Sequence, residues 1–296
     1  MTTKTLETTL ERDGFIGRFY YAAQPSDTTM LVLIGSHGGS ALAEEIGEKL
    51  LPAGCNVMAV GYWKLPGLSD TLTNIELTYF DRVFDWLRAR LPAETRKLGL
   101  YGWSMGGQLA LLLASRDPSI SLTVAAAPSF CLYNGLDGNH GPLDEATWVD
   151  HGIPLPYFST YGYNRGETYR RLVEKDGEEM IVHRYLAALE HPVPEEAVIP
   201  VERIQGAVLL LSSQSDEIWP ATDACERIMK RLDAHHFPYP HKHFTGDRCS
   251  HFVVPLTPAD SRSTLEKEHP EECEQFRQAA LQETLAWMRA WREGRN

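Results

Sequence analysis

Three residues, far apart in the chain, have the side-chain types that acyl transfer requires: Ser104, Asp216 and His251. A serine hydroxyl is a weak nucleophile at neutral pH, so a neighbouring base must take its proton. Imidazole can do this near neutrality, and a carboxylate behind it fixes its tautomer and stabilises its charged form. Ser104 lies in Tyr101-Gly102-Trp103-Ser104-Met105-Gly106-Gly107, a Gly-x-Ser-x-Gly pattern. The apolar run 98–101 before it reads as a strand, and the small-residue stretch 108–115 after it reads as a helix. Strand, tight turn and helix form the context in which this pattern lifts a hydroxyl out of the end of a sheet. Gly102 and Gly106 are expected because side chains there would strike the adjacent strand and helix.

The helix that follows the serine points its first amides back toward it, where they favour negative charge. The amide of Met105 is the expected first donor to an oxyanion. A second donor is expected from the glycine loop Gly35-Ser36-His37-Gly38-Gly39-Ser40, which follows the apolar strand 30–34. Gly39, give or take one position, is the residue assigned to it. His37 is expected to orient that loop by hydrogen bonding rather than to act as a base.

In this architecture the acid and then the histidine follow the serine along the chain. The apolar strand 207–211 breaks into a polar turn carrying Asp216, at the strand end where catalytic groups gather in parallel sheets. Glu217 and Asp223 are weaker rivals, Asp223 lying too far into the next helix. His251 ends a flexible turn after a short strand at 241–244. His235, His236, His241 and His243 cluster just upstream, but no cysteine or carboxylate completes a familiar metal-ligand spacing.

Positioning these groups requires a sheet. Apolar runs alternate with helical patterns along the chain, which predicts an α/β protein with a mostly parallel central sheet and helices on both faces. Residues 6–22 read as a hairpin turning at Asp13-Gly14, and 41–51 as a first helix. Thr73-Asn74-Ile75-Glu76 reads as a capping box opening a helix whose apolar face is Leu77, Phe80, Phe84 and Leu87. Residues from about 128 to 200 break the rhythm and are rich in Gly, Pro, Tyr and His. They read as an insertion covering the serine, a lid within one domain spanning 1–296, with short helices near Thr168 and His183. Its aromatic residues, Phe130, Tyr133, Trp148, Tyr157, Phe158, Tyr161 and Tyr163, could line a pocket or form the insertion's own core. Residues 271–292 read as an amphipathic helix packed on the sheet.

Composition narrows the partners. The chain has 296 residues, of which 43% are hydrophobic, enough for one large domain with a core. Its net charge of −12 and the lack of a basic stripe argue against nucleic acid. Five cysteines at scattered spacings imply no disulfide framework and fit a reducing, cytoplasmic setting. The polar N-terminal stretch lacks an apolar signal region, and no run is long enough to span a membrane. The expected partner is a small acyl compound, with no metal or cofactor. The sequence sets no oligomeric state.

Several stretches carry a further likeness: LVLIGSHGGS, the helix start Ile75 to Phe80, YGWSMGGQLALLLAS, IPVERIQGAVLLLSSQSDEIWP and the turn ending in His251. Together they resemble the α/β-hydrolase domain shared by acyl-CoA thioesterases and bile acid-CoA:amino acid N-acyltransferase. The resemblance implies Ser104, Asp216 and His251 as a triad and an acyl-enzyme intermediate. It implies hydrolysis of an acyl ester or thioester, because transferase members tend to carry cysteine as nucleophile. Two features depart from the family pattern: the hairpin before Met30 is too short for the β-sandwich that thioesterase members carry ahead of the domain, and Met105 stands where lysine is common. Both keep a carboxylesterase or a dienelactone-hydrolase-like enzyme open beside a CoA thioesterase. An acyltransferase using an amine, and a non-catalytic binding protein, are the remaining alternatives.

Overall fold

Mostly apolar runs of the chain form strands covered on both faces, and these make the middle of the molecule. The computed structural model describes residues 4–92, 96–256 and 263–295. Residues 1–3 of the polar N-terminal stretch lie outside them. The strands of the main sheet are β1 (Thr5–Thr8), β2 (Ile16–Tyr20), β3 (Thr28–Leu33), β4 (Asn56–Gly61), β5 (Lys97–Trp103), β6 (Ile120–Ala126), β7 (Ala207–Ser213) and β8 (His241–Gly246). They lie in the order β1-β2-β4-β3-β5-β6-β7-β8. From β4 to β8 every neighbour is parallel, and β1 and β2 form an antiparallel edge. Every residue of β3, β4 and β7 is buried.

Helices α1 (Ala41–Leu50), α2 (Thr78–Arg88), α3 (Met105–Arg116), α4 (Glu167–Asp176), α5 (Ile181–Leu189), α6 (Ala221–Ala234) and α7 (Pro270–Arg292) complete the main elements. α7 is fastened to the sheet by Trp291, whose indole N–H donates to Ser121 Oγ at 2.9 Å. The sheet runs parallel through β5, β6 and β7, so the C-terminal ends of the serine strand and the Asp216 strand emerge at one edge.

Two local expectations change. The β1–β2 connection is a helical turn (Leu10–Asp13) capped by Gly14 at φ 79°, not a tight hairpin turn. The capping box at 73–76 does not form. Ile75–Glu76 instead pairs in parallel with Trp148–Asp150, and α2 starts at Thr78 without a side-chain cap. A long-range strand pairing has displaced a local helix signal. The expected apolar face of α2 is buried as its spacing required.

Between β6 and β7 the chain makes the insertion, with the short pairs Asn134–Leu136 with Pro142–Ala146 and Trp148–Asp150 with Ile153–Pro154, followed by α4 and α5. It sits on the helix that begins at the serine. Trp148 Nε1 donates to Gln108 Oε1 at 2.8 Å, and Gln108 Nε2 donates to the Cys131 carbonyl at 3.0 Å. Phe130, Tyr133, Trp148 and Phe158 are buried in it, whereas Tyr161 is 56% exposed. The buried four join the main core: Trp148 packs on Tyr62 at 5.9 Å and Tyr133 on Trp219 at 5.8 Å.

Candidate active site

Ser104 has φ 60° and ψ −126°, a backbone conformation that L-residues avoid. The packing around it leaves no alternative. A Cβ on Gly102 would lie 2.0 Å from the Gly106 carbonyl oxygen, and one on Gly106 would lie 2.3 Å from that of Leu33. Strand β5 and helix α3 therefore meet backbone to backbone, and the residue between them takes the strain. Ser104 N donates to Ala126 O at 2.9 Å, locking the corner to β6. The amides of Gly107 and Gln108 turn back onto the Ser104 carbonyl at 2.8 and 3.0 Å. The Met105 amide, at the tip of α3, has no acceptor among the described residues.

Asp216 and His251 come together. His251 Nδ1 lies 2.7 Å from Asp216 Oδ2, and both side chains are buried. The other oxygen, Oδ1, accepts from the amides of Ile218 (2.8 Å) and Trp219 (3.2 Å). An ionised carboxylate can only accept, so Nδ1 carries the proton and Nε2 presents a lone pair. Nε2 is buried and, among the described residues, bonds to no other side chain, Ser104 included. The histidine loop is tied to the serine strand all the same. Trp103 Nε1 donates to the His251 carbonyl at 3.0 Å, and the Trp103 and His251 rings are 5.8 Å apart. Trp219 closes the other side, edge-on to His251 at 5.8 Å. These two tryptophans are the residues that spacing arguments missed. Their only sequence signal is adjacency, one directly before the serine and the other three residues after the aspartate.

The rivals are engaged elsewhere. Glu217 accepts from the Thr264 amide at 3.0 Å, and Asp223 pairs with Arg227 at 2.7 Å. The upstream histidines have separate partners: His241 holds Asp233 and the Tyr239 carbonyl, and His243 meets Ser212 Oγ at 2.7 Å.

Gly39 needs correction as the second oxyanion donor. Its amide donates to the Trp63 carbonyl at 3.0 Å, and a donor already bonded to a backbone carbonyl is not available to a reacting oxygen. Gly38, one position earlier, directs its amide to Gly35 O at 3.4 Å. The part of the loop that touches the elbow is Gly35, where a Cβ would lie 2.7 Å from Met105 N and 2.9 Å from Ser104 Cβ. His37 also behaves differently from expectation. It makes no hydrogen bond among the described residues and instead stacks on Trp103 at 5.1 Å, with Phe252 at 6.0 Å and His140 at 6.1 Å. Desolvation, and then the neighbouring His140, His251 and Lys64, lower its pKa to about 4.

One group was invisible in the sequence. Cys249, Glu266 and Cys273 bring their side-chain ligand atoms within 4.8 Å of one another. Glu266 is already paired with the buried Arg277 guanidinium at 2.7 Å, whose positive charge opposes a cation there.

The sheet order, the strained serine between strand and helix, and the acid and histidine on later loops define an α/β-hydrolase fold. Residues 75–268 match the family described as BAAT / acyl-CoA thioester hydrolase C terminal, and the chain belongs to that family. It is 31% identical over 220 residues to human acyl-coenzyme A thioesterase 2, mitochondrial, covering 74% of this chain and 41% of that protein. To human acyl-coenzyme A thioesterase 1 it is again 31% identical over 220 residues, covering 74% of this chain and 48% of the relative. The chain thus spans less than half the length of these relatives. Among solved structures it superposes on a Pyrococcus furiosus esterase with a TM-score of 0.55 at 17% identity, covering 97% of this chain and 91% of the esterase. On an alpha/beta hydrolase from a Medee basin deep-sea metagenome library the TM-score is 0.54 at 13% identity, with 98% of each chain covered. Among the described residues no helix is long and apolar enough to cross a membrane.

Proposed function

We propose that the protein is a serine hydrolase that cleaves an acyl ester or acyl thioester through Ser104, His251 and Asp216. One observation carries the reading. The only imidazole nitrogen left without a bond in the Asp216–His251 pair is Nε2, and its loop is tied to the residue next to the strained serine. In the reaction Nε2 takes the Ser104 proton as Oγ attacks the carbonyl carbon. The contact between them tightens once substrate is bound, as catalytic hydrogen bonds commonly do. The Met105 amide donates to the developing oxyanion. The leaving alcohol or thiol takes the proton from His251, giving an acyl-Ser104 ester. Water enters by the same steps in reverse and releases the acid. Asp216 stays ionised throughout and holds the imidazolium.

Family membership favours an acyl thioester, and the names of the thioesterase relatives point the same way. The partner is then a small acyl compound, with no need for nucleic acid or a membrane. Five unpaired cysteines favour a reducing compartment such as the cytoplasm. A fluorophosphonate probe tests the chemistry directly. It should label Ser104, identified by peptide mass spectrometry, and fail to label the Ser104→Ala and His251→Ala variants. An unlabelled wild-type protein would end the proposal. Acyl esters and CoA thioesters of graded chain length, assayed side by side, then separate esterase from thioesterase.

A further inference from the structure

The lost assignment of Gly39 leaves one oxyanion donor, the Met105 amide, and raises the question of what holds a second. We infer that Trp63 is a positioning residue that aims the Ser36 amide at the reacting carbonyl oxygen. The inference rests on the serine-hydrolase reading above.

The Gly35 carbonyl and the Ser36 N–H share one peptide plane. Trp63 follows β4 directly after Tyr62 and is almost fully buried. Its indole N–H donates to the Gly35 carbonyl at 3.2 Å. Every peptide among the described residues is trans. In a trans peptide the C=O and the following N–H point in opposite directions. Fixing the Gly35 carbonyl toward Trp63 therefore turns the Ser36 N–H away from Trp63. Gly35 itself lies against the nucleophile, because a Cβ there would sit 2.9 Å from Ser104 Cβ and 2.7 Å from Met105 N. The Ser36 amide has no acceptor of its own among the described residues. Trp63 also holds the far end of the same loop, its carbonyl accepting from Gly39 N at 3.0 Å. Tyr62 adds a third anchor by donating its hydroxyl to the Ile34 carbonyl. The loop is thus held at residues 34, 35 and 39 from one side, and of its amides that lack an acceptor, that of Ser36 follows directly on the residue that touches Ser104 and Met105. A preformed donor contributes to catalysis because it need not be reoriented at the moment of reaction.

Trp63→Phe removes the indole N–H and keeps an aromatic ring. The measurement is the second-order rate of Ser104 labelling by a fluorophosphonate, together with kcat and KM for p-nitrophenyl acetate. Loss of donor alignment should slow labelling and lower kcat by roughly 10- to 100-fold while KM stays within about twofold. A purely structural role would instead lower the folded fraction and leave the rate per labelled molecule unchanged. If Trp63→Phe does not fold, the isostere 3-benzothienylalanine at position 63, with sulfur in place of the N–H, must give the same slowing. Labelling at the wild-type rate in the folded variant overturns the inference while the hydrolase reading stands. A wild-type protein that is never labelled overturns both.

Discussion

His251 Nδ1 and Asp216 Oδ2 are 2.7 Å apart, and the remaining oxygen of that carboxylate is held by two backbone amides of its own turn. The aspartate therefore cannot rotate without losing three bonds, and the tautomer of the histidine follows from it. Asp216→Asn places an amide N–H where an acceptor is needed or leaves Nδ1 facing a neutral oxygen. Under the proposed mechanism kcat should fall by about 10³- to 10⁴-fold, with KM little changed. Steady-state kinetics on one ester, beside circular dichroism of the variant, checks this.

Ser104 stores strain that has no structural use once the hydroxyl is gone. Ser104→Ala and Ser104→Gly both remove the proposed nucleophile, but glycine relaxes at φ 60° and alanine does not. Ser104→Gly should be the more stable of the two by about 1 kcal/mol, and both should be inactive. Urea unfolding of the two variants measures the difference. Equal midpoints would mean that the elbow is not strained in solution.

His37 gives stability a pH dependence of definite sign. Its folded pKa is about 4 against an ordinary 6.5, because desolvation and facing cationic groups disfavour the charged ring. Above the ordinary value both states are neutral and nothing changes. Between that value and about 4 the unfolded chain binds a proton that the folded chain does not, so stability falls as the pH falls. His37→Gln should lose less stability than the wild type on acidification through that window. Urea midpoints of both proteins, taken across it, give the comparison.

All five cysteines are buried and unpaired. Burial pushes Cys55 up to about 11 and Cys131 to about 12, and raises the thiols of Cys225, Cys249 and Cys273 as well. A protonated, enclosed thiol is a poor nucleophile. Iodoacetamide at neutral pH should leave the native protein unmodified and alkylate five positions after denaturation, as intact mass would show.

The serine corner was legible because its requirements are local: a strand, two glycines and a helix within a few residues. Strands and the burial of Leu77, Phe80, Phe84 and Leu87 were legible for the same reason, since periodicity reports which face is covered. Apart from the helical turn at Leu10–Asp13, the failures come from contacts between distant segments. Ile75 and Glu76 have the composition of a helix start, yet Trp148 and Val149 arrive from the insertion to pair with them. Gly39 looks like a free amide until Trp63 supplies a carbonyl, and His37 looks like a hydrogen-bonding residue until Trp103 supplies a flat surface. No spacing rule contains those partners.

The bond from the Trp103 indole to the His251 carbonyl joins positions 148 residues apart. During synthesis the serine corner leaves the ribosome long before the base that would activate it. Under the proposed mechanism, a nascent chain can thus carry a complete serine turn and still be chemically silent, with reactivity beginning only when the late histidine loop docks.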